Sequence, residues 1–154
     1  MEIDKNFKEF IALLNDHEVK YLVVGGYAVN AHGYPRYTKD IDFWLWMSEE
    51  NIQKLISVIQ DFGLGSLGLK IEDFMNPDGV VQLGFPPNRI DILVHIEGVK
   101  FQDCFARKSV IELENIPINF LSIEDLIIAK KAAGRLQDMA DVEQLEQLLK
   151  HESK

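Results

Sequence analysis

Two aspartates interrupt a strongly apolar run in the first third of the chain. Residues 38–47, TKDIDFWLWM, are rich in aromatic and β-branched residues, which favours a β-strand. Successive side chains of a strand point to opposite faces, so Asp40 and Asp42 should share a face, roughly 6.5 Å apart along the backbone. The other face, expected to turn towards the core, carries Ile41, Phe43, Leu45 and Met47.

Two interpretations of this acidic pair are open. Like charges fixed on one strand repel each other, which raises their pKa values, and a divalent cation would remove the conflict. Carboxylate oxygens are the ligands that Mg²⁺ prefers. The plainer alternative is that Asp40 and Asp42 mark a solvated strand edge or a turn.

A third carboxylate lies in a similar setting. Asp91 is flanked by apolar residues in the segment 89–94, RIDILV, which also predicts a strand. If the two strands pair, Asp91 reaches the same spot as Asp40 and Asp42, and the three carboxylates could form a two-metal site for phosphoryl chemistry. The alternative for Asp91 is a salt bridge to Arg89 or Arg36.

A pair of glycines follows another short apolar run. Gly25 and Gly26 end the segment YLVVGG and precede a predicted helix. Such a turn lets backbone N–H groups approach phosphate oxygens, with a helix N-terminus behind them. Taken alone, the pair is equally compatible with an ordinary tight turn.

The remaining patterns predict one α/β (α+β) domain over residues 1–154, with a core at about 20–120 and a C-terminal helical segment at about 122–150. Its sheet should be mixed or mainly antiparallel, flanked by helices, with the C-terminal helices closing the domain. Strands are expected at 21–24, 38–47, VVQLGF, RIDILVHI and one or two within 109–122. The turn between VVQLGF and RIDILVHI is expected at Pro86 and Pro87. Helices are expected near 4–16, over AVNAHG, at 51–62, from an N-cap at Ser122 to about Ala133, and at 136–150.

Composition narrows the class of protein. The net charge is −9, which argues against a long nucleic acid as partner and favours cations as mediators of any polyphosphate contact. The first residues lack the apolar core of a signal peptide, and no apolar run approaches membrane-helix length. With a single cysteine, Cys104, the sequence fits a cytoplasmic protein without a membrane partner.

Two blocks of the sequence resemble a known superfamily. GGYAVNAHGYPRYTKDIDFWLW is similar to the glycine and Asp-X-Asp signature of the DNA polymerase β-like nucleotidyltransferases. The similarity is to their small bacterial branch: minimal and lincosamide-type nucleotidyltransferases and the nucleotidyltransferase toxins of abortive-infection systems. LSIEDLIIAKKAAGRLQDMADVEQLEQL resembles the closing segment of that branch. The resemblance covers roughly residues 20–150.

The resemblance implies a nucleotidyltransferase fold and a role for each matched residue. Gly25 and Gly26 would hold a nucleoside triphosphate, and Asp40, Asp42 and Asp91 would bind Mg²⁺ or Mn²⁺. Asp91 would also act as general base on an incoming hydroxyl. Arg36 and Thr38, and more weakly Lys130 and Arg135, are candidates for nucleotide contact.

Two points qualify these roles. Many active members of the superfamily have serine where this chain has Gly26, which removes one hydroxyl from the site. For Lys130 and Arg135 a solvated helix end is the alternative, and Asp138 and Asp141 are expected on a solvated helical face.

The predicted activity is therefore metal-dependent transfer of a nucleoside monophosphate from a triphosphate to an unidentified acceptor hydroxyl. The alternatives are a non-catalytic partner protein, such as one component of a toxin–antitoxin pair, and a nucleotide-binding regulator without turnover. The chain is short for an enzyme that encloses an acceptor, so a homodimer or a partner protein is expected to complete the pocket.

Overall fold

The protein is described by a computed structural model at residues 1–84 and 88–152. Its helices are α1 (Lys5–Asp16), α2 (Gly25–Ala31), α3 (Glu49–Ile59), α4 (Phe101–Ala106), α5 (Ile123–Ala133) and α6 (Leu136–Glu152). Its strands are β1 (Tyr21–Val24), β2 (Ile41–Leu45), β3 (Val80–Leu83), β4 (Ile90–Leu93), β5 (Ser109–Leu113) and β6 (Ile116–Phe120). This confirms the predicted mixed α/β architecture.

Polar caps set the ends of several helices. The carboxylate of Asp4 accepts hydrogen bonds from the backbone N–H groups of Asn6 and Phe7 at the start of α1. Ser122 caps α5, as predicted, by accepting from the N–H of Asp125 at 3.1 Å. These oxygens satisfy amide groups that have no partner inside the helix.

The six strands form one mixed sheet in the order β3-β4-β2-β1-β6-β5. β2 pairs antiparallel with β1 and parallel with β4, and β3 and β4 form the predicted antiparallel pair. The turn predicted at Pro86 and Pro87 lies outside the described residues. β2 is therefore central, with β1 and β4 as its direct neighbours.

The two faces of β2 differ as the alternation predicts. Phe43 is fully buried and contacts Phe10 of α1, with ring centroids 5.4 Å apart, so this face meets the main core. On the other face Trp44 packs edge-on against Phe101 of α4 at 5.2 Å. The acidic residues lie on that second face, at the beginning of β2.

Three details differ from the sequence-based expectations. β2 is shorter than the apolar run, so Asp40 immediately precedes the strand. α3 continues into a π-type turn at Gln60–Leu64 and a 3₁₀ turn at Gly65–Leu67. α4 was not predicted, because FQDCFA is too short to show a helical period.

Among the described residues, no helix is both long enough and apolar enough to cross a membrane.

Candidate active site

The sheet register brings two of the aspartates side by side. Asp42 of β2 is the ladder partner of Asp91 in the parallel strand β4. In the antiparallel β1–β2 pair the same Asp42 is opposite Val24, the last residue before Gly25. Asp42 therefore lies at the centre of the candidate site, with Asp91 on one side and the glycine turn on the other.

Arg89 links the remaining aspartate to this pair. Its Nε donates to Asp91 Oδ1 at 2.7 Å, and its Nη2 donates to Asp91 Oδ2 at 3.1 Å. The same Nη2 lies 3.2 Å from Asp40 Oδ2, and the backbone N–H of Arg89 donates to Asp40 Oδ1 at 3.1 Å. One guanidinium thus bridges Asp40 and Asp91, and the salt bridge to Arg89 anticipated for Asp91 is present.

The electrostatics of Asp42 reflect this crowding. The pKa of Asp42 is raised to about 7: burial contributes most, the charges of Asp91 and Asp40 and a hydrogen bond with the Asp91 carboxyl also raise it, and the charge of Arg89 opposes them. A carboxyl group that keeps a proton close to neutral pH is one whose negative charge lacks sufficient compensation.

The glycine turn is shaped by its contact with the aspartates. Gly25 has φ +69°, and a Cβ placed on it would lie 2.3 Å from Asp42 Oδ2, so a side chain here would collide with the carboxylate. A Cβ on Gly26 would lie 2.9 Å from Thr38 Oγ1. Thr38 therefore takes up the space that serine would need at position 26, which is a physical reason for the glycine there.

The other predicted nucleotide contacts are engaged with acidic residues of α6. Arg36 pairs with Asp141, and Lys130 pairs with Asp141 at 2.9 Å and with Asp138 at 3.4 Å. Asp138 and Asp141 are each only 3% exposed, so the expectation that they lie on a solvated face was wrong. Basic side chains of neighbouring elements neutralise these two aspartates, and this pairing offsets the cost of burying their charges.

Lys130 and Arg135 differ in exposure. The Lys130 side chain is 12% exposed and that of Arg135 is 79% exposed, so the solvated alternative holds for Arg135 alone. Burial raises the pKa of Asp138, but hydrogen bonds and charges from Arg135 and Lys130 outweigh it, and the pKa is lowered. Lys130 also lines a cavity of about 140 Å³ that reaches Val24 and Gly25, so it lies beside the glycine turn.

The site offers the carboxylate oxygens that a hard divalent cation needs, but Asp91 and Asp40 are both held by Arg89. Asp42 and Asp91 supply adjacent oxygens, the donor type such cations prefer, and Gly25 keeps the space beside Asp42 clear. Across residues 1–84 and 88–152, no three His, Cys, Asp or Glu side chains are gathered closely enough to hold a metal ion. Asp91 and Asp40 could both bind a cation beside Asp42 only after the guanidinium moves from between them.

Sequence reasoning treated Arg89 only as the alternative partner of Asp91 and missed its contact with Asp40. Positions 89 and 91 share a face by strand alternation, so the Asp91 contact was readable from the sequence. The Asp40 contact depends on the β2–β4 register, in which Ile41 is the partner of Ile90 and the N–H of Ile41 donates to the Arg89 carbonyl.

Comparison with known proteins identifies the family of this chain. The model of the DUF6036 family, described as a nucleotidyltransferase of unknown function, matches residues 1–151. No curated protein matches the chain.

Two solved structures share the fold. Lincosamide antibiotic adenylyltransferase LnuA, solved with lincomycin bound, is 15% identical with a TM-score of 0.58, covering 95% of this chain and 98% of its own. A putative nucleotidyltransferase, TM1012 from Thermotoga maritima, is 17% identical with a TM-score of 0.58, covering 94% of this chain and 91% of its own. At such low identity these neighbours show the nucleotidyltransferase fold and nothing finer.

The family model matches almost the whole length of the chain and the two neighbours share its fold, and the chain therefore belongs to the DUF6036 family of nucleotidyltransferases of unknown function.

Proposed function

We infer that this protein is a divalent-metal-dependent enzyme that transfers a nucleoside monophosphate from a nucleoside triphosphate to an acceptor hydroxyl. The observation that carries this proposal is the pairing of Asp42 with Asp91 in adjacent strands, directly against the Gly25 turn. Carboxylates, an open backbone turn and nearby basic residues are the parts that phosphoryl transfer requires.

Each group of site residues has its own role in the proposed reaction. Asp40, Asp42 and Asp91 offer carboxylate oxygens for Mg²⁺ or Mn²⁺, and the Gly25–Gly26 turn lets the triphosphate approach the backbone. A bound divalent cation neutralises phosphate charge and makes the acceptor hydroxyl more acidic. Lys130, beside the same turn, adds positive charge for the phosphates.

The transfer itself is a displacement at the α-phosphorus. The acceptor oxygen forms a bond to that phosphorus while the bond to the β-bridging oxygen breaks, and pyrophosphate leaves with the bonding electron pair. Asp91 receives the proton of the acceptor hydroxyl. Charge and atoms balance, since one triphosphate and one alcohol give one nucleotidyl ester and one pyrophosphate.

The acceptor is proposed only as a hydroxyl-bearing molecule. LnuA was solved with lincomycin, so a hydroxylated antibiotic is one acceptor worth testing, beside protein side chains and RNA ends. We place the reaction in the cytoplasm, where nucleoside triphosphates are available, and expect a second copy or a partner protein to complete the acceptor pocket.

A non-catalytic role is the second candidate, and one observation favours it. Arg89 already neutralises Asp40 and Asp91, so a partner-binding or regulatory protein, such as a component of a toxin–antitoxin pair, could keep this arrangement without ever binding metal.

The two candidates separate in a labelling assay. The full chain is incubated with each α-³²P-labelled triphosphate and Mg²⁺, together with lincomycin, total RNA or a protein extract as acceptors. Transfer of label and release of pyrophosphate are expected, and Asp42→Asn should reduce both by roughly 100-fold or more, because metal binding and charge stabilisation fail together. Asp78→Asn, an exposed carboxylate before β3, is the matched control and should keep full activity. Activity that survives Asp42→Asn would contradict the metal mechanism.

A further inference from the structure

Arg89 contacts two of the three carboxylates of the proposed metal site. All four carboxylate oxygens of Asp40 and Asp91 accept a hydrogen bond from Arg89 or lie within ion-pair distance of it. A cation that binds these carboxylates must therefore take oxygens that Arg89 holds. The Arg89 side chain is only 24% exposed, so these contacts are partly shielded from water and correspondingly strong.

The backbone of Arg89 is fixed independently of its side chain. Its N–H donates to Asp40 Oδ1, and its carbonyl accepts from the N–H of Ile41 at 3.1 Å. These bonds hold the Cα of Arg89 at the beginning of β4 while the long side chain can adopt another rotamer. The guanidinium can thus leave the carboxylates without disturbing the β2–β4 ladder.

We propose that Arg89 is an internal counter-cation that competes with the metal for Asp40 and Asp91 and then moves to the triphosphate when metal and nucleotide enter together. The planar, forked guanidinium suits phosphate oxygens as well as carboxylates. In the metal-free state it neutralises the acidic site, and in the loaded state it neutralises the substrate. Arg89 is in this sense a positioning residue for the proposed nucleotidyl transfer, and the inference rests on that proposed function.

Loss of the Arg89 guanidinium should have opposite effects on the affinities for metal and for triphosphate. Removing the guanidinium frees the carboxylates for metal but takes a phosphate contact away. A residue with a merely structural role would weaken binding of both ligands or of neither.

The test uses the full chain and isothermal titration calorimetry. MnCl₂ is titrated without nucleotide into the wild type, Arg89→Gln and Arg89→Lys. Arg89→Gln should bind Mn²⁺ at least about tenfold more tightly, because no charge-assisted hydrogen bonds have to be broken first. At saturating Mn²⁺, the same variant should bind a non-hydrolysable triphosphate at least about tenfold more weakly, because those bonds to phosphate are missing.

Arg107 provides a matched control. Its guanidinium makes a similar fork with Asp125, at 2.9 and 3.2 Å, on other elements. Arg107→Gln should leave the affinities for Mn²⁺ and for the triphosphate analogue at their wild-type values. Arg89→Lys keeps the charge but not the forked guanidinium, so its affinities for both ligands should lie between those of wild type and Arg89→Gln. This variant also keeps the test decisive if Arg89→Gln does not fold.

The possible outcomes distinguish the role of Arg89 from the proposed function. Mn²⁺ that binds wild type and Arg89→Gln with equal affinity overturns the role of Arg89 and leaves the proposed function standing. Absence of Mn²⁺ binding in every variant, with and without the triphosphate analogue, overturns both.

Discussion

Asp42 is held between two close neighbours, the Gly25 turn on one side and the Asp91 carboxyl on the other. Neither contact can relax easily, because both β1 and β4 are paired to β2 at this position. Burial here, together with the charges of Asp91 and Asp40, raises the pKa of the Asp42 carboxyl group to about 7. At the scale of single residues, the ionised form of Asp42 is disfavoured by burial and by repulsion from neighbouring carboxylates, and a bound cation would stabilise it.

The pH dependence of stability follows from that pKa. The folded protein holds a proton on Asp42 up to about pH 7, while the unfolded chain releases it near the ordinary aspartate pKa of 3.8. The folded state therefore binds more protons in this window, so the contribution of Asp42 to stability is lost as the pH rises from about 4 to about 7. Asp42→Asn removes this contribution.

Denaturant unfolding with EDTA present, from pH 3.5 to 8, measures the effect. The stability of Asp42→Asn relative to wild type should increase through the window and level off above about pH 7. A difference that does not change with pH would contradict the electrostatic account of Asp42.

Gly25 yields a second prediction at this scale. Gly25→Ala combines an unfavourable positive φ with a clash against Asp42 Oδ2, whereas Gly68→Ala meets a positive φ of +64° in open space. Gly68→Ala should cost about 1–2 kcal/mol of unfolding free energy from the left-handed backbone alone. Gly25→Ala should cost about 1–3 kcal/mol more, from overpacking. Equal losses in urea unfolding would show that the Asp42 contact is unimportant.

At the scale of elements, α6 is tied to the rest of the domain by buried charge. Asp138 and Asp141 of α6 accept from Lys130 of α5, and Asp141 also accepts from Arg36 in the segment before β2. The apolar spacing over 136–150 predicted the helix but did not show that these aspartates are buried. Arg36 is distant in sequence and Lys130 belongs to the preceding helix, so the spacing of residues within α6 does not reveal these contacts.

The α5–α6 connection can be tested with adjacent lysines. Lys130→Met leaves Asp138 and Asp141 with less compensation for their burial and should destabilise the protein by about 3 kcal/mol or more. Lys131 pairs with Glu146 at 2.9 Å, but both side chains are about half exposed, so Lys131→Met should cost less than about 1 kcal/mol. Similar melting temperatures for the two variants would mean that Lys130 is not a structural residue, and its place beside Gly25 would then favour nucleotide contact alone.

At the scale of the whole molecule, the sequence predicted what depends on local pattern. The strand alternation around Asp42, the apolar run of β1 and the N-cap at Ser122 could be predicted from the sequence pattern. The resemblance implied the fold and the candidate site residues. The role of Arg89 was not readable, because its contact with Asp40 depends on the register between β2 and β4. The short helix α4 was missed, because six residues carry too little periodicity.

We propose that Asp42 and Asp91, joined by Asp40, bind a divalent cation against the Gly25–Gly26 turn. A crystal structure of the protein with Mn²⁺ and a non-hydrolysable nucleoside triphosphate would show whether they do. We expect an anomalous manganese peak within coordination distance of Asp42 and Asp91, the triphosphate along the glycine turn, and the Arg89 guanidinium away from Asp40. Manganese bound elsewhere, or a triphosphate that lies away from the turn with Arg89 still bridging Asp40 and Asp91, would contradict it.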